Sequence, residues 1–173
     1  MPNNGFYDLS RHHQWATETL LAFCQSQDAA TLQTLVPGTY GNILDTLRHL
    51  VDSDASYLRR ITAAWPDHPW KDDFEVDLET LRERSRILGN VLIEFLDGDW
   101  DVDAPNVGYG DDGAVFEIPA GVFVTQIFHH ANEHRAHVCT AFGSLGIEPP
   151  DISAWEYSVV SQRARQIVEP SPS

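Results

Sequence analysis

Apolar residues recur every three or four positions over four long stretches of the chain, the period of helices that each bury one face. The first stretch, residues 8–26, puts Leu9, His13, Ala16, Leu20 and Phe23 on one side, with Asp8 placed to cap it. A turn at Val36-Pro37-Gly38 leads to the second, residues 42–64, whose stripe is Ile43, Leu47, Leu50, Val51, Leu58 and Ile61. The segment Trp65-Pro66-Asp67-His68-Pro69-Trp70 breaks it. The third, residues 77–96, aligns Leu78, Leu81, Ile87, Leu88, Val91, Leu92 and Phe95. The fourth, residues 119–142, opens with Pro119, which suits a first helical turn, and stops at Gly143 and Gly146.

Between the third and fourth stretches the pattern changes. Residues 100–118 are rich in Gly, Asp and Pro, and Gly110-Asp111-Asp112-Gly113 reads as the turn of a short hairpin. After Pro149-Pro150, Asp151 is placed to cap a small fifth helix over residues 151–168, with a loose Pro-Ser-Pro-Ser tail. No repeat or internal boundary interrupts the chain, so residues 1–173 read as one domain. The expected fold class is all-α, a helix bundle with a hairpin in its one long connection.

Composition narrows the partners. The net charge is −15 and Lys71 is the only lysine, so the field repels phosphate backbones and anionic lipid. Neither nucleic acid nor a membrane surface is expected as a partner. No run approaches the ~18 apolar residues of a membrane span, and the first residues show no secretory pattern. Cys24 and Cys139 sit in apolar helical patterns and read as reduced, buried thiols. A cytoplasmic location is the expectation that remains.

Chemistry concentrates in the fourth stretch, where residues 129–137 read His-His-Ala-Asn-Glu-His-Arg-Ala-His. His130 and His134 are four apart and share a helix face, the spacing at which one helix gives two imidazoles to one metal ion. Their stripe runs back through Ile127 and Phe123 and on to His137 or Val138 and then Ala141, so it is expected to face inward. Two buried imidazoles need partners, either a metal or hydrogen bonds. His137 cannot complete the site, because about 10 Å of helical rise separates it from His130. His129 points about 100° away from His130. The remaining histidine donors are His49, His13, His12 and His68. Around His49 the positions three and four away are Asp45, Thr46, Asp52 and Ser53. That stripe fits a solvated face, and it equally fits a polar cavity wall where Asp45 or Asp52 orients the imidazole.

Several patches resemble the DinB-like family of metalloenzymes, in the family's order. They are His13-Gln14-Trp15-Ala16, the segment Tyr40-Gly41-Asn42-Ile43-Leu44-Asp45-Thr46-Leu47-Arg48-His49-Leu50, the run His130-Ala131-Asn132-Glu133-His134-Arg135, and Leu145-Gly146-Ile147-Glu148-Pro149-Pro150-Asp151. The resemblance implies an antiparallel four-helix bundle with a short β-hairpin insertion and a small C-terminal helix. It implies one divalent metal ion, zinc or nickel, bound by His49, His130 and His134. It also implies a homodimer, for which Trp15, Trp65, Trp70, Trp100 and Trp155 offer anchors. Two departures lie beside the ligands: Ala136-His137 stands where the family has Gly-Gln, and Gln126 where a histidine is common. His13, Asp52, Gln126 and His137 are therefore the expected pocket or supporting residues, and Glu133 is the candidate catalytic base.

The function implied is a metal-dependent enzyme, a thiol-dependent transferase or a hydrolase, acting on a small molecule with or without a thiol cosubstrate. The rival readings are a non-catalytic metal- or small-molecule-binding, stress-related protein and a metal-free bundle. His130-Ala131-Asn132-Glu133-His134 also fits the His-x-x-Glu-His pattern of one metalloprotease class, whose third ligand is a downstream glutamate. Glu148 and Glu156 are the glutamates that follow.

Overall fold

The computed structural model describes residues 5–62, 77–110 and 112–167. Six helices and one hairpin follow in order: α1 (Tyr7–Cys24), α2 (Ala29–Leu32), α3 (Ile43–Ile61), α4 (Leu78–Asp97), β1 (Pro105–Tyr109), β2 (Val115–Pro119), α5 (Ala120–Ser144) and α6 (Ala154–Val160). The four long helices form the expected bundle, with α1 packed mainly on α4 and α3 mainly on α5. Both pairs run antiparallel. Arg11, early in α1, ion-pairs with Asp97 at the end of α4, while Arg82, early in α4, donates to Gln25 just past α1. His49, early in α3, meets His130 near the middle of α5, and Tyr57, late in α3, meets Phe123 near the start of α5.

The predicted stripes supply most of the core, and Leu21, Leu96 and Phe142, which lie outside them, complete it. Leu20, Leu21, Ile43, Leu47, Leu50, Leu58, Leu81, Leu92, Leu96, Ile127 and Phe142 are each under 2 % exposed. Leu9, expected on that face, is exposed, because the buried line of α1 begins one residue later, at Ser10, which is 0 % exposed. No helix among the described residues is long and apolar enough to cross a membrane.

Side-chain caps set where most helices begin. Asn42 accepts from the Asp45 N–H at 2.8 Å, Asp77 from Thr80 at 2.7 Å and Ser153 from Glu156 at 3.2 Å. Two expected caps are displaced. Asp8 lies inside the first turn of α1, where its charge suits the helix dipole and pairs with Arg163. Asp151 makes a turn of its own by accepting from the Ser153 N–H, so Ser153 caps α6 instead. Helix α6 is also shorter than expected. It ends at Val160, followed by Gln162 at φ 58°, and residues 161–167 are exposed with no apolar face to bury.

Helix α5 runs two residues past the expected stop and closes at Gly146, at φ +72°. The Ile147 N–H reaches Phe142 O at 3.0 Å and the Gly146 N–H reaches Gly143 O at 3.1 Å, a Schellman closure. The hairpin forms where the turn residues placed it, with Tyr109 opposite Val115. At Gly108 a Cβ would sit 2.3 Å from Ile118 Cδ1, so the Ile118 side chain packs in the space that the glycine leaves. The expected break at residues 65–70, with Trp65, His68 and Trp70, lies outside the described residues, as do Lys71, Asp111 and Val168. The one-turn helix α2 carried too short a pattern to be foreseen.

Candidate metal centre

The antiparallel pairing of α3 and α5 sets three imidazoles against one another. His49 is the seventh residue of α3, so the Asn42 cap that starts the helix also fixes its direction. His130 and His134 stand on successive turns of α5, facing α3. His130 Nε2 lies 3.1 Å from His49 Nε2 and 3.0 Å from His134 Nε2. One ligand atom from each residue lies within 4.8 Å of the others. His130 and His134 are buried and His49 is half-buried.

The arrangement suits a cation better than a hydrogen-bond network. A ring nitrogen of neutral imidazole offers either one N–H or one lone pair. His130 Nε2 can therefore make one well-directed hydrogen bond, not one to each neighbour. Three lone pairs turned to a common point have no such conflict. With metal–nitrogen bonds of about 2.0–2.1 Å, adjacent donors sit about 2.9 Å apart at a right angle and about 3.4 Å apart at the tetrahedral angle. The two separations made by His130 fall between these limits, and all three donors lie within 4.8 Å of one another. An all-imidazole set suits zinc, nickel, copper or iron.

Electrostatics keep these rings neutral. Burial, and then the neighbouring imidazoles, push His134 down to about 4. Burial also lowers His130, with His49 adding to the effect, and burial lowers His49 against the opposing pull of Asp52. A neutral imidazole is the form that ligates a metal.

Packing orients the rings. Tyr40 stacks on His49 with centroids 4.1 Å apart and planes 13° apart, and meets His134 edge-on at 5.0 Å. Tyr57 meets His130 edge-on at 5.7 Å. The Nδ1 atoms of His130 and His134 are buried without a hydrogen-bond partner among the described residues. Asp45, one of the two acceptors considered for His49, is engaged by Asn42 at 2.7 Å and Arg48 at 3.2 Å. Asp52 is exposed and acts on His49 through its charge.

A second buried group lies deeper between α1, α3 and α5. His13 Nε2 is 3.0 Å from Asp54 Oδ2, and both residues are about 5 % exposed or less. Arg135, next to His134 and 3 % exposed, donates to Thr17 Oγ1 at 2.9 Å. Burial lowers its guanidinium to about 10 while the Asp54 charge holds it up, so it remains a cation at neutral pH. This network ties both histidine-bearing helices to α1.

The other expected residues fall around the cluster. Gln126 donates to the Tyr57 hydroxyl at 3.4 Å. His137 lies beyond His134, ring centroids 5.5 Å apart, and stays outside the three-imidazole group. His13 is committed to Asp54, and His12 is 2.9 Å from Ile152 O beside Trp15 and Tyr157. Glu133 is exposed, and its charge favours protonation of His130 and His134. Glu148 and Glu156 do not join the group, so the downstream-glutamate arrangement is not formed. Cys24 and Cys139 are free thiols, and burial raises both, Cys24 to about 12.

Sequence reasoning missed Asp54, Tyr40 and Tyr57. Asp54 had a signal, a carboxylate set in the stripe of Leu47, Leu50 and Leu58. Tyr57 follows His49 by two turns, a spacing that places both on neighbouring lines of α3. Tyr40 lies in a loop, where no periodicity exposes its role.

A helical bundle whose paired inner helices bring three histidines to one point defines a class of candidate metal-binding proteins. The profile described as the DinB family matches residues 1–165, and the chain belongs to that family. A search of curated proteins finds no match.

Proposed function

We propose that the chain is a metal-dependent enzyme acting on a small molecule, of the thiol-dependent transferase or hydrolase type. His49, His130 and His134 would hold one divalent ion, zinc or nickel. The observation that carries this reading is the meeting of three imidazole nitrogens from two helices within 4.8 Å. When bound, such an ion polarises a substrate oxygen or lowers the pKa of a water or thiol. Three protein ligands leave coordination positions for exogenous molecules. The chain's own residues do the rest: burial keeps the imidazoles unprotonated, and Tyr40 shields His49 and His134. In the transferase version the thiol comes from a cosubstrate, because burial holds both cysteines in the unreactive thiol form. In the hydrolase version Glu133 is the candidate base.

The test is a screen of thiol cosubstrates with electrophiles, and of small esters and amides, before and after chelation and metal return. Turnover that vanishes on chelation and returns with zinc or nickel supports an enzyme. Stoichiometric metal with no metal-dependent turnover supports the non-catalytic binding protein instead.

We also propose a homodimer packed through helix faces. Trp15 and Trp100 are partly buried beside Tyr157 and Phe95, whereas Trp155 is 84 % exposed on α6, near exposed Val159 and Val160. Light scattering at tens of micromolar protein should give twice the 19.4 kDa chain mass, and Trp155→Asp should halve it. A monomer under those conditions would refute the dimer.

A further inference from the structure

The three imidazoles have unlike surroundings. Tyr40 lies flat on His49 and edge-on to His134, so an aromatic ring closes that side. Beside His130 the neighbours carry polar atoms. Tyr57 stands two turns beyond His49 on α3, and Gln126 stands one turn before His130 on α5. Because the helices are antiparallel, the two side chains meet, with Gln126 Nε2 donating to Tyr57 Oη at 3.4 Å. Both residues are half-buried, and Phe123 packs against Tyr57 with centroids 6.4 Å apart.

A tyrosine hydroxyl has one proton to give besides the lone pairs it offers. Gln126 occupies a lone pair and leaves that proton to donate, while the Gln126 carbonyl oxygen can accept. Neither group carries a formal charge. The nearby cation, Arg60, donates to Val107 O at 2.9 Å and lies 6.0 Å from the Phe123 ring. The carboxylates of Asp52, Asp54 and Glu133 all act on His49 or His130, a field that disfavours an anionic group at this end.

We infer that Tyr57 and Gln126 form a neutral hydrogen-bonding subsite beside His130 for the carbonyl or hydroxyl oxygen of an uncharged, amide-like small molecule. The inference rests on the metal reading of the three histidines and adds the direction of approach and the class of ligand. An amide or ester end would take the Tyr57 proton, while the rest of the molecule faces the imidazoles. An anion such as azide, directed to a metal alone, makes no use of the subsite.

Cobalt(II) loaded into the full-length protein reports both kinds of ligand through its visible absorption. Titration with acetohydroxamic acid and, separately, with azide should be carried out on the unaltered protein and on Tyr57→Phe, Gln126→Leu and Tyr109→Phe. Loss of one neutral hydrogen bond predicts roughly two- to tenfold weaker acetohydroxamate binding in Tyr57→Phe and Gln126→Leu. Azide affinity should stay the same in all four proteins, and Tyr109→Phe, on the exposed hairpin, should match the unaltered protein for both ligands. Unchanged acetohydroxamate affinity in Tyr57→Phe, or a parallel loss of azide, overturns the subsite while leaving the metal reading intact. Failure of the unaltered protein to take up cobalt overturns both.

Discussion

His130 and His134 share a face by spacing alone, and that spacing is where the residue-level argument begins. His49 could not be chosen in the same way, because Asp45 and Asp52 make its flank look solvated. It was the resemblance to a family segment that singled it out, and the antiparallel approach of α3 brings its Nε2 to 3.1 Å from His130. Asp54 was overlooked for the opposite reason: its burial depends on His13 and Arg135, which come from two other helices. Replacing His49, His130 or His134 by Ala should each weaken metal binding by more than the 10- to 100-fold typical of losing a supporting residue. His129→Ala should change nothing, since the side chain is exposed and turned away. His13→Ala and His137→Ala should weaken binding modestly. Competition against a chromophoric chelator measures all six; full affinity in His49→Ala with a collapse in His13→Ala would make α1 the true donor.

At the level of elements, helices with sustained apolar stripes were legible and their ends were less so. The stripe fixes which face is buried, but a start depends on which of several nearby polar residues captures a free N–H. Asp8 and Asp151 were plausible caps, yet α1 begins before Asp8 and Ser153 displaces Asp151. The hairpin was readable because its turn needs particular residues. Asn42 joins local structure to the site, since it caps α3 seven residues before His49. Asn42→Ala should lower stability by about 1 kcal/mol, as loss of an N-cap does, and should also weaken metal binding by loosening the first turns of α3. Chemical denaturation with and without metal separates the effects. Normal stability in Asn42→Ala would show that the cap is dispensable.

For the whole molecule, pH links folding to the site. Desolvation holds His134 near 4, below the ~6.5 of an unfolded histidine. As pH falls below ~6.5, the unfolded chain binds a proton that the folded chain refuses, so stability must decline until pH nears 4. Metal-free protein should therefore show urea midpoints that fall across that window, and His134→Gln should flatten the slope. An equal slope in both would mean His134 is not held neutral by folding. The bundle class was legible in the sequence because it needs only four amphipathic stretches. The meeting point of α3 and α5 was not, because it depends on how two distant segments pair.

The central claim is that three histidines from two helices hold one divalent ion. Elemental analysis of protein expressed without a polyhistidine tag, after zinc and nickel supplementation, tests it most directly. The account predicts about one ion per chain, retained through gel filtration at neutral pH and lost in His130→Ala. No stoichiometric metal in the unaltered protein, or full occupancy in His130→Ala, would contradict it.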